Sequence, residues 1–235
     1  MLLLPCSPDC SHHMSCINRV PIFHGMTAEQ ICMLQQVTNN RSFLKGEYIF
    51  REGDPSETLY IVNKGLIKIH KSSESGKEQI FRLLFPGDFF GQSALLKTEY
   101  HYANAEAIDK TDICTINKQD FINTMEQNSG MAFRFMLALN ERLYQADEWM
   151  SLLSLMEVEK RLASALLLFS KTGEIKNGKF TLPISKKILA SLLGTTPETI
   201  SRKLVFLVKE NIIQMDGRRE ITILDYESLN QLARP

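Results

Sequence analysis

The sequence predicts an α+β fold in three parts: an N-terminal β jelly-roll, a long helix, and a C-terminal winged helix-turn-helix. Three observations carry that expectation. Between Arg41 and Asn117 short apolar runs recur at roughly ten-residue intervals, each bounded by a turn signal, the pattern of a compact antiparallel β-domain. A helical period without Gly or Pro then continues from about Ala132 to Leu155. Beyond it, two short amphipathic patterns meet at a glycine and are followed by a hairpin signal.

Composition narrows the function classes. The chain has 235 residues, 44% of them hydrophobic and 23% charged, enough apolar material for two packed cores. Its formal net charge of +0 hides a split. Residues 160–235 hold 13 Lys and Arg against 7 Asp and Glu, whereas residues 1–159 hold 14 against 20. A basic C-terminal module is expected to meet a polyanion. No apolar run approaches the ~18 residues of a membrane span. The opening Met1-Leu2-Leu3-Leu4-Pro5-Cys6 lacks the basic n-region and long apolar stretch of a leader, so a cytoplasmic protein is expected. Walker loop, His-Glu-x-x-His and Gly-x-Ser-x-Gly patterns are missing, and catalysis is not expected.

The first segment, 1–26, contains CSPDCSHHMSC, with Cys6, Cys10 and Cys16 closely spaced. In a reducing compartment clustered thiols point to metal binding or redox chemistry rather than to a disulfide framework. The barrel domain, 27–130, opens on TAEQICMLQQVT, a helix with a Thr27-x-x-Gln30 capping box; Cys32 on its apolar face reads as a small buried hydrophobe. Strands are expected at YIF, TLYIVN, LIKIHK, EQIFRLLF and DICTIN, separated by the turn signals EGD, NKG, ESGKE and PGD.

The segment 131–156 repeats Phe135, Leu139, Leu143, Ala146, Met150 and Leu153 at near-heptad spacing, which predicts a helix that pairs with a copy of itself, the alternative being that it packs along its own domains. Asp147 and Glu148 either meet their symmetry mates there, making association marginal, or face water. The last segment, 157–235, reads as a helix from Glu157 to Ser170, a short hairpin, a helix capped by Ser185 and ended at Gly194, and a helix to about Glu210. The final helix has a Thr cap at Thr195 or Thr196 and Pro197 in its first turn. Asp216-Gly217 then makes a wing. Ile200, Leu204 and Leu207 form the buried stripe of the last helix, leaving Thr196, Glu198, Thr199, Ser201, Arg202 and Lys203 on its polar side.

The strings KGEYIFREGDPSETLYIVNKGLIKIHK, SGKEQIFRLLFPGDFFGQSALL and LLGTTPETISRKL resemble the barrel turns and recognition helix of the CRP/FNR family of bacterial transcription regulators. The resemblance covers nearly the whole chain. It implies a cyclic-nucleotide-binding-like sensory barrel, a dimerisation helix using Leu139, Leu143, Ala146, Glu148, Met150 and Leu153, a homodimer that reads a palindrome in double-stranded DNA, and RNA polymerase as a partner. Cyclic-AMP-binding members carry a Glu after their Gly-Asp-Phe-x-Gly stretch and later an Arg-Ser pair. Here Gln92 stands for the Glu and His101-Tyr102-Ala103 for the pair, so cyclic AMP is not expected.

Oxygen-sensing FNR-type members hold a 4Fe-4S cluster on an N-terminal cysteine group and one later barrel cysteine. By that resemblance Cys6, Cys10, Cys16 and Cys114 would be the ligands, one external thiolate for each iron. The spacing here is C-x3-C-x5-C where those members have C-x2-C-x5-C. Zinc, with His12 and His13 as substitute ligands, and a thiol-disulfide switch of the same residues remain the alternatives. Glu198, Ser201 and Arg202 match the FNR-type Glu-x-x-Ser-Arg motif, which implies TTGAT-like half-sites in an inverted repeat. Arg202 suits guanine N7 and O6, and Glu198 can accept from cytosine N4. Lys186, Lys187, Thr196, Lys203, Arg218 and Arg219 are the expected phosphate contacts.

Overall fold

The computed structural model describes residues 17, 19–96, 100–172 and 179–234; Cys6, Cys10, Cys16, His12 and His13 lie outside them. Contacts divide the chain into two compact units, one ending at Leu143 and the other beginning at Tyr144.

In the first unit, α1 (Ala28–Gln36) begins where expected. The Thr27 hydroxyl accepts from Gln30 N–H and the Gln30 side chain accepts from Thr27 N–H, completing the capping box. The strands β1 (Thr38–Phe43), β2 (Tyr48–Phe50), β3 (Thr58–Lys64), β4 (Ile67–Ser72), β5 (Glu78–Leu84), β6 (Phe89–Phe90), β7 (Asn104–Ala107) and β8 (Thr111–Asn117) form two four-stranded sheets. Their orders are β1-β8-β3-β6 and β2-β7-β4-β5, antiparallel throughout, which is the expected jelly-roll. A single turn of helix, α2 (Ser93–Leu96), follows β6. Then α3 (Lys118–Glu126) leads into α4, the long helix Ser129–Leu155.

Two cores follow from strand alternation. Phe50, Tyr60, Val62, Ile69, Phe90 and Ile113 fill the inside of the barrel. On β8 the next residue points the other way, so Cys114 and Ile116 join Leu59 and Ile61 on the opposite face. There they share a second core with Ile17, Val20, Phe23, Leu34, Phe121, Met131 and Phe135.

The second unit holds the rest of α4, then α5 (Val158–Thr172), β9 (Lys179–Thr181), α6 (Lys186–Leu192), α7 (Pro197–Lys209), β10 (Ile213–Asp216), β11 (Glu220–Ile223) and α8 (Tyr226–Leu232). The small sheet runs β10-β11-β9. Leu162, Leu166, Phe169, Leu189, Leu193, Ile200, Leu204 and Leu229 are buried in this unit.

Phe135 heads the expected seam of α4, yet it is buried in the barrel-side core against Phe121 and Phe89. Leu139 packs against the same core. The first turns of α4 therefore spend their apolar stripe on their own barrel, because that stripe faces α3 and β6. The exposed apolar residues run along another line, Met136, Leu143 and Met150 at heptad spacing with Phe133, Leu137 and Tyr144 beside them. Asp147, four residues after Leu143 and three before Met150, lies on that line; Glu148 is displaced from it. Ala146 and Glu148 are exposed, and Leu153 is half-buried.

Candidate functional site

The helix-turn-helix is built by local rules. Ser185 caps α6 by accepting from Ile188 N–H. The helix ends at Gly194, whose φ of +64° is the left-handed conformation that lets Thr195 N–H reach Ala190 O at 3.0 Å. Thr196 caps α7, accepting from Thr199 N–H, and Pro197 occupies the first turn. Arg161 of α5 braces the turn from outside: its Nε donates to Met156 O and its Nη1 to Leu193 O at 2.6 Å. Arg161 is a functional position the sequence reading missed, since its partners are backbone carbonyls that leave no pattern of residue types.

On α7, Ile200, Leu204 and Leu207 are buried, as expected. The opposite side presents Glu198 and Arg202, both exposed, with Ser201 partly so. Arg202 Nη2 donates to Thr199 Oγ1 at 3.2 Å, which holds the guanidinium along the helix face. The Glu198 carboxyl sits below the usual carboxylate range, because its own backbone N–H and the Thr196 hydroxyl donate to it at the helix start and Arg202 adds its charge. Val205, one turn beyond Ser201 and Arg202, shares this side and is exposed.

Lys186 is half-buried, while Lys187, Thr196, Arg218 and Arg219 are exposed; the two arginines flank the wing turn after Gly217. Lys203 differs. Its Nζ pairs with Glu159 and lies over the Phe206 ring, so its charge is neutralised within its own unit. Its partner Glu159 lies forty-four residues away along the chain.

In the barrel, Cys114 is 1% exposed. It is disulfide-bonded, with the Asn40 carboxamide 3.3 Å from its sulfur. Cys32 is half-buried. The partner of Cys114 lies outside the described residues. Ile17, the residue after Cys16, is buried in the core that contains Cys114.

A small pocket opens on the barrel's inner side, lined by Phe50, Ile69, Arg82, Phe90, Gly91, Gln92, Ser93, His101 and Tyr102, with a cavity volume of ≈ 20 Å³. Its rim is tight at Gly91, where φ is +77° and a Cβ would stand 2.6 Å from Thr58 O. Phe50 stacks on His101 at 3.5 Å between ring centres. Among the described residues, buried Arg82 Nε and His101 Nε2 find no hydrogen-bond partner. From α4, Arg142 donates to Gln92 Oε1 at 3.2 Å and to Phe89 O, and stacks on the Phe89 ring. Burial and the neighbouring Arg82 guanidinium push the Arg142 pKa down to about 9, the mark of two desolvated cations side by side.

Residues 40–128 match the family model for the cyclic nucleotide-binding domain and residues 160–232 that for the Crp-like helix-turn-helix domain. The cyclic AMP receptor protein of Thermus thermophilus is 30% identical over 213 residues, 91% of this chain and 96% of the relative. The chain belongs to the CRP/FNR family. The transcriptional activator Anr of Pseudomonas aeruginosa is 28% identical over 229 residues, 96% of this chain and 91% of the relative. Among solved structures, FixK2 of Bradyrhizobium japonicum superposes with a TM-score of 0.78 at 28% identity, covering 85% of this chain and 98% of its own. The protein is thus a DNA-binding transcription regulator of the CRP/FNR type and not an enzyme. No helix among the described residues is long and apolar enough to cross a membrane.

Proposed function

We propose that this CRP/FNR regulator senses oxygen or redox state through a 4Fe-4S cluster on Cys6, Cys10, Cys16 and Cys114, and binds TTGAT-like inverted repeats as a cytoplasmic homodimer that contacts RNA polymerase. The observation that carries the sensory reading is the setting of Cys114. It is buried on the β8 face that looks away from the barrel interior, in the core that also takes Ile17, next to Cys16, and Met131 and Phe135 at the start of α4. Once the Cys114 disulfide is reduced, the four cysteines would offer four thiolates for four external iron positions. When bound, the cluster would supply an oxygen-labile centre. The chain's own part is to hold Cys114 against the root of α4, so that a change in thiol ligation alters the packing of Met131 and Phe135.

On DNA, Arg202 would donate to guanine, Glu198 accept from cytosine, Ser201 bond a base edge and Val205 meet a thymine methyl. Lys186, Lys187, Thr196, Arg218 and Arg219 would hold phosphates. Along α4, Met136, Leu143 and Met150 would form the dimer seam, with Asp147 on its axis line.

The test is iron and acid-labile sulfide analysis of protein purified without oxygen, followed by admission of air. About four iron and four sulfide per chain, visible absorption that bleaches in air, and loss of site-specific DNA binding with the colour are expected. Colourless, iron-free protein that binds the inverted repeat in both states overturns the cluster reading.

A second reading places a small anionic effector in the barrel instead. It is favoured by the unpartnered Arg82 and His101 nitrogens in the pocket and by the adjacent Arg142 cation. The Arg-Ser pair of cyclic-AMP-binding members is missing, so cyclic AMP itself is not expected.

A further inference from the structure

Outside the DNA-reading surface, the thiols and the pocket, four ionisable side chains close a ring on the β2-β7-β4-β5 sheet. Lys68 Nζ lies 2.6 Å from Glu78 Oε2 and 3.0 Å from Glu106 Oε2. His70 Nδ1 lies 3.3 Å from the same Glu78 oxygen, and its Nε2 lies 3.4 Å from the same Glu106 oxygen. Strand alternation brings them together. Lys68 and His70 are two residues apart on β4, Glu106 pairs with Lys68 across β7, and Glu78 pairs with Ser72 across β5. The His70 side chain is 1% exposed, and each ring nitrogen faces one of the two carboxylates. Tyr48 of β2 is a further ionisable neighbour, its ring centre 6.1 Å from that of His70, and the Arg51 guanidinium covers the Tyr48 ring.

Such a ring has two states of different cohesion. With a neutral imidazole, one ammonium bridges two carboxylates that belong to two other strands, and His70 fills the space between them. The neutral ring carries a single N–H, so one nitrogen turns a lone pair toward a carboxylate whichever tautomer is present. A proton on that nitrogen puts a second cation beside Lys68, facing the two oxygens that the ammonium already holds.

We propose that Lys68, His70, Glu78 and Glu106 form a proton-operated latch on the barrel: neutral His70 leaves Lys68 tying β5 and β7 to β4, and proton uptake by His70 weakens that tie. Direction follows from the surroundings. Burial, with the Lys68 ammonium next, holds the imidazole below its ordinary value, against the pull of Glu78 and Glu106. The folded chain therefore binds this proton less readily than the unfolded chain. The latch contributes its full stability above the ordinary imidazole value of about 6.5, and loses it as pH falls through the lower folded value. The three acid and imidazole groups also suit a divalent metal ion. Lys68 already stands between the two carboxylates, and a metal would have to expel it.

The experiment is a proton NMR titration of the full-length chain. The His70 ring signals are assigned by their through-space contact with Tyr48 and by their loss in His70→Gln. Melting curves of both proteins between pH 7.5 and 5 accompany it. A His70 midpoint below about 6.5 is expected, and the wild-type melting temperature should fall by at least roughly 2 °C more than that of the variant. A midpoint at or above the ordinary value overturns the latch, as does an equal fall in the two proteins. If His70→Gln does not fold, the wild-type titration alone decides. Zinc chloride at pH 7 is expected to leave the melting temperature unchanged; a zinc-dependent rise that His70→Gln abolishes would make the cluster a metal site and overturn the latch.

Discussion

Arg202 and Lys187 are both exposed cations of the helix-turn-helix, yet their settings predict different losses. Arg202 is held along the α7 face by Thr199. Arg202→Ala should remove discrimination at one guanine, about 1–3 kcal/mol, as measured by competition between the inverted repeat and its single-base variants. Lys187→Ala should weaken specific and random DNA alike and reduce the slope of log affinity against log salt by about 1. Lys203 is a control of a different kind. Its charge is already paired with Glu159, so Lys203→Ala should leave that salt slope unchanged. Glu198 adds a pH prediction. Its carboxyl is held below the ordinary carboxylate value by N–H and hydroxyl donors, so it stays ionised on acidification. Any cytosine preference it confers should be constant from neutral pH down to the ordinary carboxylate value and be lost only below it, in binding assays at matched ionic strength.

At the scale of elements, α4 and α7 show how one helix serves two surroundings. The early apolar stripe of α4 is consumed by the barrel core through Phe135 and Leu139, whereas Leu143 and Met150 are 62% and 60% exposed. Because Met150 buries little within its own chain, Met150→Glu should leave the single-chain fold intact. It should shift the protein to monomer in sedimentation and abolish binding to the full inverted repeat, while half-site binding by the helix-turn-helix survives at low affinity. In α7 the Thr196 cap satisfies an orphan N–H at the helix start. Thr196→Ala should cost about 1 kcal/mol of stability, read as a lower melting temperature of the DNA-binding unit.

At the scale of the whole molecule, the acidic N-terminal part and the basic C-terminal part share one continuous helix, which belongs in part to each compact unit. Cys114 is the thiol candidate fixed inside the fold, in the core that receives the start of that helix. Cys114→Ser should therefore abolish iron incorporation and make DNA binding indifferent to air. Far-UV circular dichroism and non-specific DNA binding should be preserved, because the DNA-binding unit has its own core. Lost iron together with unchanged, air-sensitive specific binding would place the sensor elsewhere.

Much of the architecture was legible in the sequence because it is local. The Thr27 capping box, the Gly194 turn, the Thr196–Pro197 start and the α7 stripe of Ile200, Leu204 and Leu207 each depend on residues within a turn or two of one another. Strands β1, β6 and β7 of the barrel escaped notice. The first is Thr-Asn-Asn-Arg-Ser-Phe, polar and mostly exposed, the second is Phe89–Phe90 alone, and the third is Asn-Ala-Glu-Ala, with no β-branched residue. The sequence by itself determined the order of parts, the family and the exposed polar face of α7, since these are properties of periodicity and of short motifs. Only the tertiary structure decided where long-range partners fall: Lys203 on Glu159, Arg161 on the carbonyl of Leu193, Phe135 in the barrel core, and His70 between Glu78 and Glu106. Strand pairing and helix packing join residues far apart along the chain, and no spacing rule in the sequence encodes those meetings.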